Sequence, residues 1–200
     1  LRVYKVLDNN GGSAYSGAEP TSESNSAFAL GGYVLKYMYK ITASEAAKFA
    51  TTDYIPVSTD STVSGAATDG AIDSISVTAG SGYTDGTYYA AVFGDGTSQG
   101  TSSGAVIRIT VTSGSLVSFG LTAGTDTTIH AVGAGYTFGT VNLDTVFSDS
   151  SLSSSTTIGS GTGGAVDVII SPKGGHGSDA VAELGGHFVM NAVTLTQAEG

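Results

Sequence analysis

Two short phrases occur twice in this chain, in the same order. GSGYT at residues 80–84 returns as GAGYT at 133–137, and SGAVIRITV at 103–111 returns as GGAVDVIIS at 163–171. Between the phrases, each copy alternates apolar and polar residues over runs of strand length, separated by glycine-rich turns. The repeat therefore predicts two three-stranded β units, each too small to bury an apolar face alone, which pack or pair to close a small sandwich.

The spacing of the two copies shows where they differ in length. Tyr83 corresponds to Tyr136, a shift of 53 positions, and Ala105 corresponds to Ala165, a shift of 60 positions. The extra residues fall in the serine-rich stretch before the second GGAV phrase, where a surface loop absorbs added length at little entropic cost. We align the first strand of copy one with LVSFGLTAG, residues 116–124, and expect the matched tyrosines and the matched alanines to be structurally equivalent.

The chain divides into a flanking part and an insert. Residues 1–58 and 172–200 are predicted to form a flanking β-rich domain with short helices, and residues 59–171 an inserted domain rich in glycine and serine. The predicted fold class is mainly β: a β-sandwich-like arrangement with short helices and a twin-repeat glycine-rich β insert. The 30 glycines and only 3 prolines among 200 residues fit many short strands joined by tight turns.

The flanking part contains a strand that is rich in tyrosine. Residues 32–41 (GYVLKYMYKI) place Tyr33, Tyr37 and Tyr39 on one face of an extended segment. Each ring is apolar with a polar tip, which suits a half-exposed sheet or a contact with another chain. These three tyrosines are therefore our interface candidates. The next segment, residues 44–50 (SEAAKFA), predicts a short helix capped by its serine.

Charge and composition exclude several classes of partner. The net charge of −10 comes from few charged residues, and a chain this acidic lacks the basic patch that attracts phosphate backbones. We therefore expect no nucleic-acid partner. No apolar run approaches the ~20 residues that span a bilayer, so we expect no membrane partner. The absence of cysteine excludes disulfides and thiolate metal sites.

Motifs that carry enzyme chemistry are weak in this sequence. GSGTGG at residues 159–164 matches the spacing of a dinucleotide-binding loop, but it leads into a strand instead of a helix, so we predict no cofactor. His176, Asp179 and His187 are weak metal-ligand candidates, because their spacing matches no familiar ligand pattern. Aspartates in glycine- and threonine-rich loops are equally weak calcium candidates (Asp85, Asp95 and Asp126). We predict that the protein is not an enzyme and holds no metal.

A binding module is the alternative to a structural role. Four tyrosines of the repeated region offer aromatic surfaces on which a sugar ring can stack: Tyr83, Tyr88, Tyr89 and Tyr136. Under this alternative the chain is a glycan-binding adhesin or receptor-binding β module of a phage or a cell surface. A hydrolase of the host envelope forms a third class, for which the sequence supplies no nucleophile framework.

The flanks resemble a known family. VYKVLDNN at residues 3–10 and GGYVLKYMYKITASEAAKFATTDYIPV at 31–57 resemble the baseplate wedge subunit, gene product eight, of T-even-type contractile-tailed phages. SPKGGHGSDAVAELGGHFVM at residues 171–190 resembles the marine, cyanophage-type members. The repeated middle matches only the general type of glycine-rich β insert found in phage structural proteins. Leu35 stands where many members have an aromatic residue. The family's regions before residue 1 and after residue 200 are absent, so we expect an interior piece of a longer protein.

The resemblance implies a structural role in a virion. It implies a β-sandwich-rich subunit of the tail baseplate, assembled in the host cytoplasm, that pairs with itself and contacts other baseplate proteins. It brings no catalytic residues to this sequence. We expect a homodimer that is held by the flanking segments and not by the twin repeats.

Overall fold

A computed structural model describes residues 1–101 and 103–193. The fold is mainly β, with 36% of residues in strands and 10% in helices, and its largest element is a nearly closed sheet of nine strands. The predicted fold class is confirmed. The segment 172–200, assigned above to the flanking domain, is described as far as residue 193.

The flanking part forms a small antiparallel sheet. Its strands are β1 (Arg2–Asp8), β2 (Phe28–Leu30) and β3 (Tyr33–Lys40), in the order β1-β3-β2. Helix α1 (Ala43–Phe49) follows, and Thr42 begins it with a capping box: its hydroxyl accepts from the Glu45 backbone N–H while the Glu45 carboxylate accepts from the Thr42 backbone N–H. Two further short helices are α2 (Ser61–Gly65), capped by Asp60, and α3 (Ala180–Glu183), capped by Asp179.

The insert supplies all nine strands of the larger sheet. They are β4 (Ile72–Ser81), β5 (Gly86–Gly94), β6 (Ala105–Thr112), β7 (Ser115–Leu116), β8 (Thr128–Val132), β9 (Gly139–Val141), β10 (Val146–Phe147), β11 (Ser155–Thr156) and β12 (Thr162–Ile170). One path through the sheet runs β11-β10-β5-β9-β12-β4, and β6 pairs with β5, β7 and β8. The inward residues of these strands form the main hydrophobic core, which includes Ile107, Ile109 and Val166.

The pairing of the strands is unchanged when the two copies are exchanged. Copy one contributes β4, β5 and β6, and copy two contributes β8, β9 and β12. The β5–β6 pair is matched by β9–β12, the β4–β12 pair is matched by β8–β6, and β5 pairs with β9 across the middle. Ala105 lies opposite Val132 and Ala165 opposite Thr78. Each copy thus completes the sheet of the other, because the last strand of one pairs with the first strand of the other.

The alignment of the first strand was wrong. The strand that enters the GAGYT phrase is Thr128–Val132, as β4 enters GSGYT, and residues 116–124 lie mostly outside strands. The segment after β7 instead forms a bridge between Phe119 and Thr127, and its Val117 N–H donates to the Thr110 carbonyl of β6 at 2.8 Å. Local alternation did not separate the two segments, since both have strand-like composition and only long-range pairing with β6 selects one.

Each of the two repeated tyrosines accepts a hydrogen bond from a backbone N–H of the other copy. The Tyr83 hydroxyl accepts from the Gly164 N–H at 2.9 Å, and the Tyr136 hydroxyl accepts from the Ala105 N–H at 3.2 Å. The ring of Tyr83 lies so close to Gly161 that a Cβ there would sit 2.3 Å from a ring atom. Gly161 and Gly164, beside the second GAV phrase, are therefore required because Tyr83 of the other copy covers the backbone, whereas a Cβ at Gly104 would first meet the Ser98 carbonyl.

Candidate functional site

A buried ionic cluster lies where the flanking sheet meets the first strand of the insert. Lys5 on β1 and Lys36 on β3 are register partners, so their side chains lie on the same face of the small sheet. Asp73 near the start of β4 and Glu183 at the end of α3 lie opposite them. The side chains of Asp73 and Glu183 are 1% and 3% exposed. The cluster therefore joins four elements that are distant in sequence.

Each carboxylate of the cluster is held by ammonium groups. The Lys5 Nζ lies 2.7 Å from Asp73 Oδ2 and 3.0 Å from Glu183 Oε1, and the Lys36 Nζ lies 3.0 Å from Asp73 Oδ1. Buried charges are tolerated only when they are paired and hydrogen-bonded in this way. Two partly exposed ammonium groups thus pair with two carboxylates that are almost fully buried.

His176 connects the cluster to the backbone of β3. Its Nδ1 lies 3.0 Å from Glu183 Oε1 and its Nε2 lies 2.9 Å from the Tyr37 carbonyl oxygen. The Gly177 N–H donates to the other oxygen of Glu183 at 2.8 Å. His176 therefore bridges the Glu183 carboxylate and the backbone of β3.

The environment keeps both acids of the cluster ionised. Burial by itself raises the pKa of Asp73, but the charges of Lys36 and Lys5 outweigh it and the pKa lies below its ordinary value. Burial likewise opposes ionisation of Glu183, yet hydrogen bonds from His176, Gly177 and Lys5 lower its pKa to about 2. For Lys5, burial disfavours the charge, and the bonds to the two carboxylates prevail and raise its pKa.

The cluster is better suited to joining two sheets than to holding a metal. One ligand atom each from Asp73, His176 and Glu183 lie within 4.8 Å of one another, which is a possible metal geometry. However, the carboxylate oxygens already accept from ammonium groups, so a metal ion would have to displace Lys5 and Lys36. The network supplies that positive charge from within the chain.

Of the three weak metal candidates, only His176 lies in the ionic cluster. His176 belongs to the cluster, whereas the Asp179 carboxylate accepts from the Ala182 N–H at 3.0 Å and caps α3. His187 is exposed and lines an apolar groove with Tyr54 and Phe188. The sequence reading missed the cluster's main members, because no local motif links Lys5, Lys36 and Asp73.

The three interface candidates are engaged within the chain. Tyr37 and Tyr39 are buried, and their hydroxyls donate to Asp60 Oδ2 at 3.3 Å and to the Pro56 carbonyl at 3.1 Å. Burial, together with the charge of Asp60, raises the pKa of Tyr37 to about 12. Tyr33 is half-buried and donates to the Ser13 carbonyl. The expectation of a surface stripe is corrected for Tyr37 and Tyr39, because residues 56–60 fold over the strand.

Three of the four glycan candidates are also buried. Tyr83 and Tyr136 pack against the other copy as described above. The Tyr88 hydroxyl donates to the Thr84 carbonyl at 3.0 Å. Because protein encloses their rings, these three tyrosines offer no surface on which a sugar can stack, and their prediction as glycan contacts is corrected. Glycines packed against Tyr83 and Tyr136 are one cause of this burial. Tyr89 remains half-exposed on the opposite face of β5.

The loop aspartates and the glycine-rich motif have local structural roles. Asp85 accepts from the Gly114 N–H at 2.7 Å, Asp95 from the Thr137 N–H at 2.8 Å, and Asp126 from the Thr122 N–H at 2.8 Å. Each carboxylate thus fixes a turn. GSGTGG runs into β12, and two of its glycines, Gly161 and Gly164, lie against the ring of Tyr83.

Comparison of the chain with protein families, curated proteins and solved structures finds no match. Among the residues that the structure describes, no helix is long and apolar enough to cross a membrane.

Proposed function

We propose that this chain is a structural subunit of a phage tail baseplate wedge and acts by assembling with other proteins. One observation carries the proposal beyond the sequence resemblance: the separated segments that resemble the wedge subunit pack as one unit. Lys5 and Glu183, 178 positions apart, share an ion pair, and His176 contacts the backbone of Tyr37 across 139 positions. Such packing is expected if both segments belong to one ancestral domain.

The insert leaves and rejoins this unit at a single point. Ile72 and Ile170 lie opposite each other on β4 and β12, and the Ser171 N–H donates to the Ala71 carbonyl at 2.8 Å. Domains are readily inserted where the two ends lie close together, because the host fold is then undisturbed. In this proposal the twin-repeat sheet is a projection carried by the flanking unit.

The flanking unit also exposes an apolar surface suited to assembly. Phe188 is 76% exposed and packs edge-to-face on Tyr54, with ring centroids 5.5 Å apart. Ile55, Val181 and Leu184 are exposed nearby in the chain. Exposed apolar groups gathered in one region commonly mark a protein contact, and we propose that a second copy of the chain occupies it in a homodimer.

Light scattering coupled to size exclusion tests the dimer at two concentrations tenfold apart. We expect a dimer in the wild type and a monomer in Phe188→Ser. The matched control is Phe138→Ser, because Phe138 is 59% exposed but belongs to the insert. A wild-type monomer at both concentrations contradicts the dimer, and dissociation by the Phe138 variant alone would place the contact in the insert.

The baseplate assignment has its own test. Genes for tail and baseplate proteins should flank the gene for this chain, and their products should co-purify with it. A gene neighbourhood without tail genes, or failure of the neighbouring products to bind the chain, would refute the assignment even if the chain dimerises.

A further inference from the structure

The sheet of the insert is open at one place, between β9 and β12. β12 pairs with β4 from end to end, but its other edge pairs with β9 only between Asp167 and Thr140. In the part of the chain that the structure describes, no backbone hydrogen bond joins residues 162–166 to β9 or to the turn at 142–144. Residues 162–166 of β12 therefore present a free strand edge.

A groove of about 570 Å³ lies along this free edge. Residues 162–167 form one wall, and residues 139–144 form the other. Ile158 and Val166, each 3% exposed, belong to the main core and line the groove from below. At about 3.3 Å per residue, an extended segment of four or five residues matches the length of the free edge. The groove thus offers room for one more strand beside β12.

The two repeated tyrosines differ in the hydrogen bonds of their hydroxyls. The Tyr136 hydroxyl accepts from the Ala105 N–H and donates to the Val92 carbonyl of β5, both at 3.2 Å, so it joins two neighbouring strands. The Tyr83 hydroxyl accepts from the Gly164 N–H at 2.9 Å, but among the described residues no acceptor takes its proton. Tyr83 is 8% exposed and lines the groove. Beside β12, the group that this tyrosine lacks is therefore a strand carbonyl.

The rim of the groove is acidic. Asp144 and Asp167 are exposed on its two walls, and neither forms an ion pair within residues 1–101 and 103–193. Arg108 is the only lysine or arginine between residues 59 and 171, and it is buried on β6. Because the insert supplies no exposed cation of its own, a cationic ligand is attracted by both carboxylates without competition.

We infer that this groove binds an extended, basic segment of a partner protein, which adds a strand to β12. The backbone of the added strand pairs with the free edge, and one of its carbonyls accepts from the Tyr83 hydroxyl. Successive side chains of a strand point to opposite faces. Apolar side chains of the segment therefore face Ile158 and Val166, and the lysine or arginine side chains between them lie near the two aspartates. The inference needs only the insert and is independent of the dimer and the baseplate assignment proposed above.

Chemical-shift titration of the ¹⁵N-labelled full chain with synthetic peptides tests the inference. The probe is Ac-VKVKV-NH₂. Ac-VEVEV-NH₂ reverses the charge, and Ac-VKPKV-NH₂ keeps the charge but places a proline, which has no N–H, in the middle of the strand. We expect saturable shifts in residues 139–144 and 158–167 with a dissociation constant at or below about 1 mM, and binding of each control peptide that is weaker by about tenfold or more.

Variants of the groove separate a binding role from a structural one. The double variant Asp144→Asn/Asp167→Asn should bind the lysine and glutamate peptides equally, because the attraction and the repulsion are both removed. The matched control is Asp53→Asn, an exposed acid of the flanking part, which should keep the wild-type preference. Tyr83→Phe removes the hydroxyl proton and should weaken binding of the lysine peptide by about threefold to tenfold.

Several results would overturn the inference. These are no saturable binding of the lysine peptide, equal affinities for the lysine peptide and either control peptide, and shifts confined to the flanking part. Unchanged binding in both the double aspartate variant and Tyr83→Phe would overturn it as well. If Tyr83→Phe fails to fold, the aspartate variant and the peptide series decide alone.

Discussion

Replacement of Glu183 by glutamine should destabilise the chain in a manner that depends on pH. The carboxylate accepts from Lys5 Nζ at 3.0 Å, lies 3.0 Å from His176 Nδ1 and accepts from the Gly177 N–H at 2.8 Å. Glutamine has nearly the same shape but no charge, so it imitates the protonated acid. The variant therefore measures how much the ionised form contributes to the free energy of unfolding.

The magnitude follows from the depressed pKa. The folded pKa of about 2 lies well below the ordinary 4.5, and at about 1.4 kcal/mol for each pH unit this difference corresponds to about 3–4 kcal/mol. Lys5 is 28% exposed, so solvent screens part of its interaction, and we expect a loss of about 2–3 kcal/mol at pH 7. Because the folded pKa is depressed, this stability is fully present above pH 4.5 and is lost as the pH falls towards 2.

Urea unfolding followed by circular dichroism at pH 7, 5, 4 and 3 measures the effect. The difference between wild type and Glu183→Gln should fall to less than half of its neutral value by pH 3. The control is Glu19→Gln, an exposed acid, for which we expect a change below about 0.5 kcal/mol. A Glu183→Gln protein as stable as the wild type at pH 7, or a loss that stays constant on acidification, would refute the electrostatic account of the cluster.

Two further predictions concern the two repeated tyrosines. Tyr136→Phe leaves the buried N–H of Ala105 without its acceptor and should lower the free energy of unfolding by about 1–3 kcal/mol; an unchanged urea midpoint would show that this bond is dispensable. Gly161→Ala places a Cβ 2.3 Å from a ring atom of Tyr83 and should cost about 1–3 kcal/mol, whereas Gly65→Ala meets nothing within 4 Å and should be neutral or slightly stabilising in thermal melts. Equal melting temperatures for the two alanine variants would contradict the packing of Tyr83 against Gly161.

The sequence determined the kind of secondary structure in the insert and its repetition. A strand can be predicted from local sequence, since alternate residues face opposite sides of a sheet. The run from Ala105 to Val111 predicts β6 on this basis alone. The short helix after β3 was also predicted from local sequence, but its cap is Thr42 and not the predicted Ser44. The repeated phrases also indicated that the two copies belong together.

Only the tertiary structure decided which strands pair and which tyrosines are enclosed. The choice of Thr128–Val132 over residues 116–124 depends on contacts with β6, and no local pattern records such contacts. Tyr37 was predicted to lie at an interface, because its hydrogen-bond partner Asp60 belongs to a separate segment and the sequence near Tyr37 does not indicate that this segment covers it. The ionic cluster is the extreme case: Lys5 and Glu183 lie near opposite ends of the chain, and burial turns two ordinary surface residue types into a paired site only after the fold has closed around them.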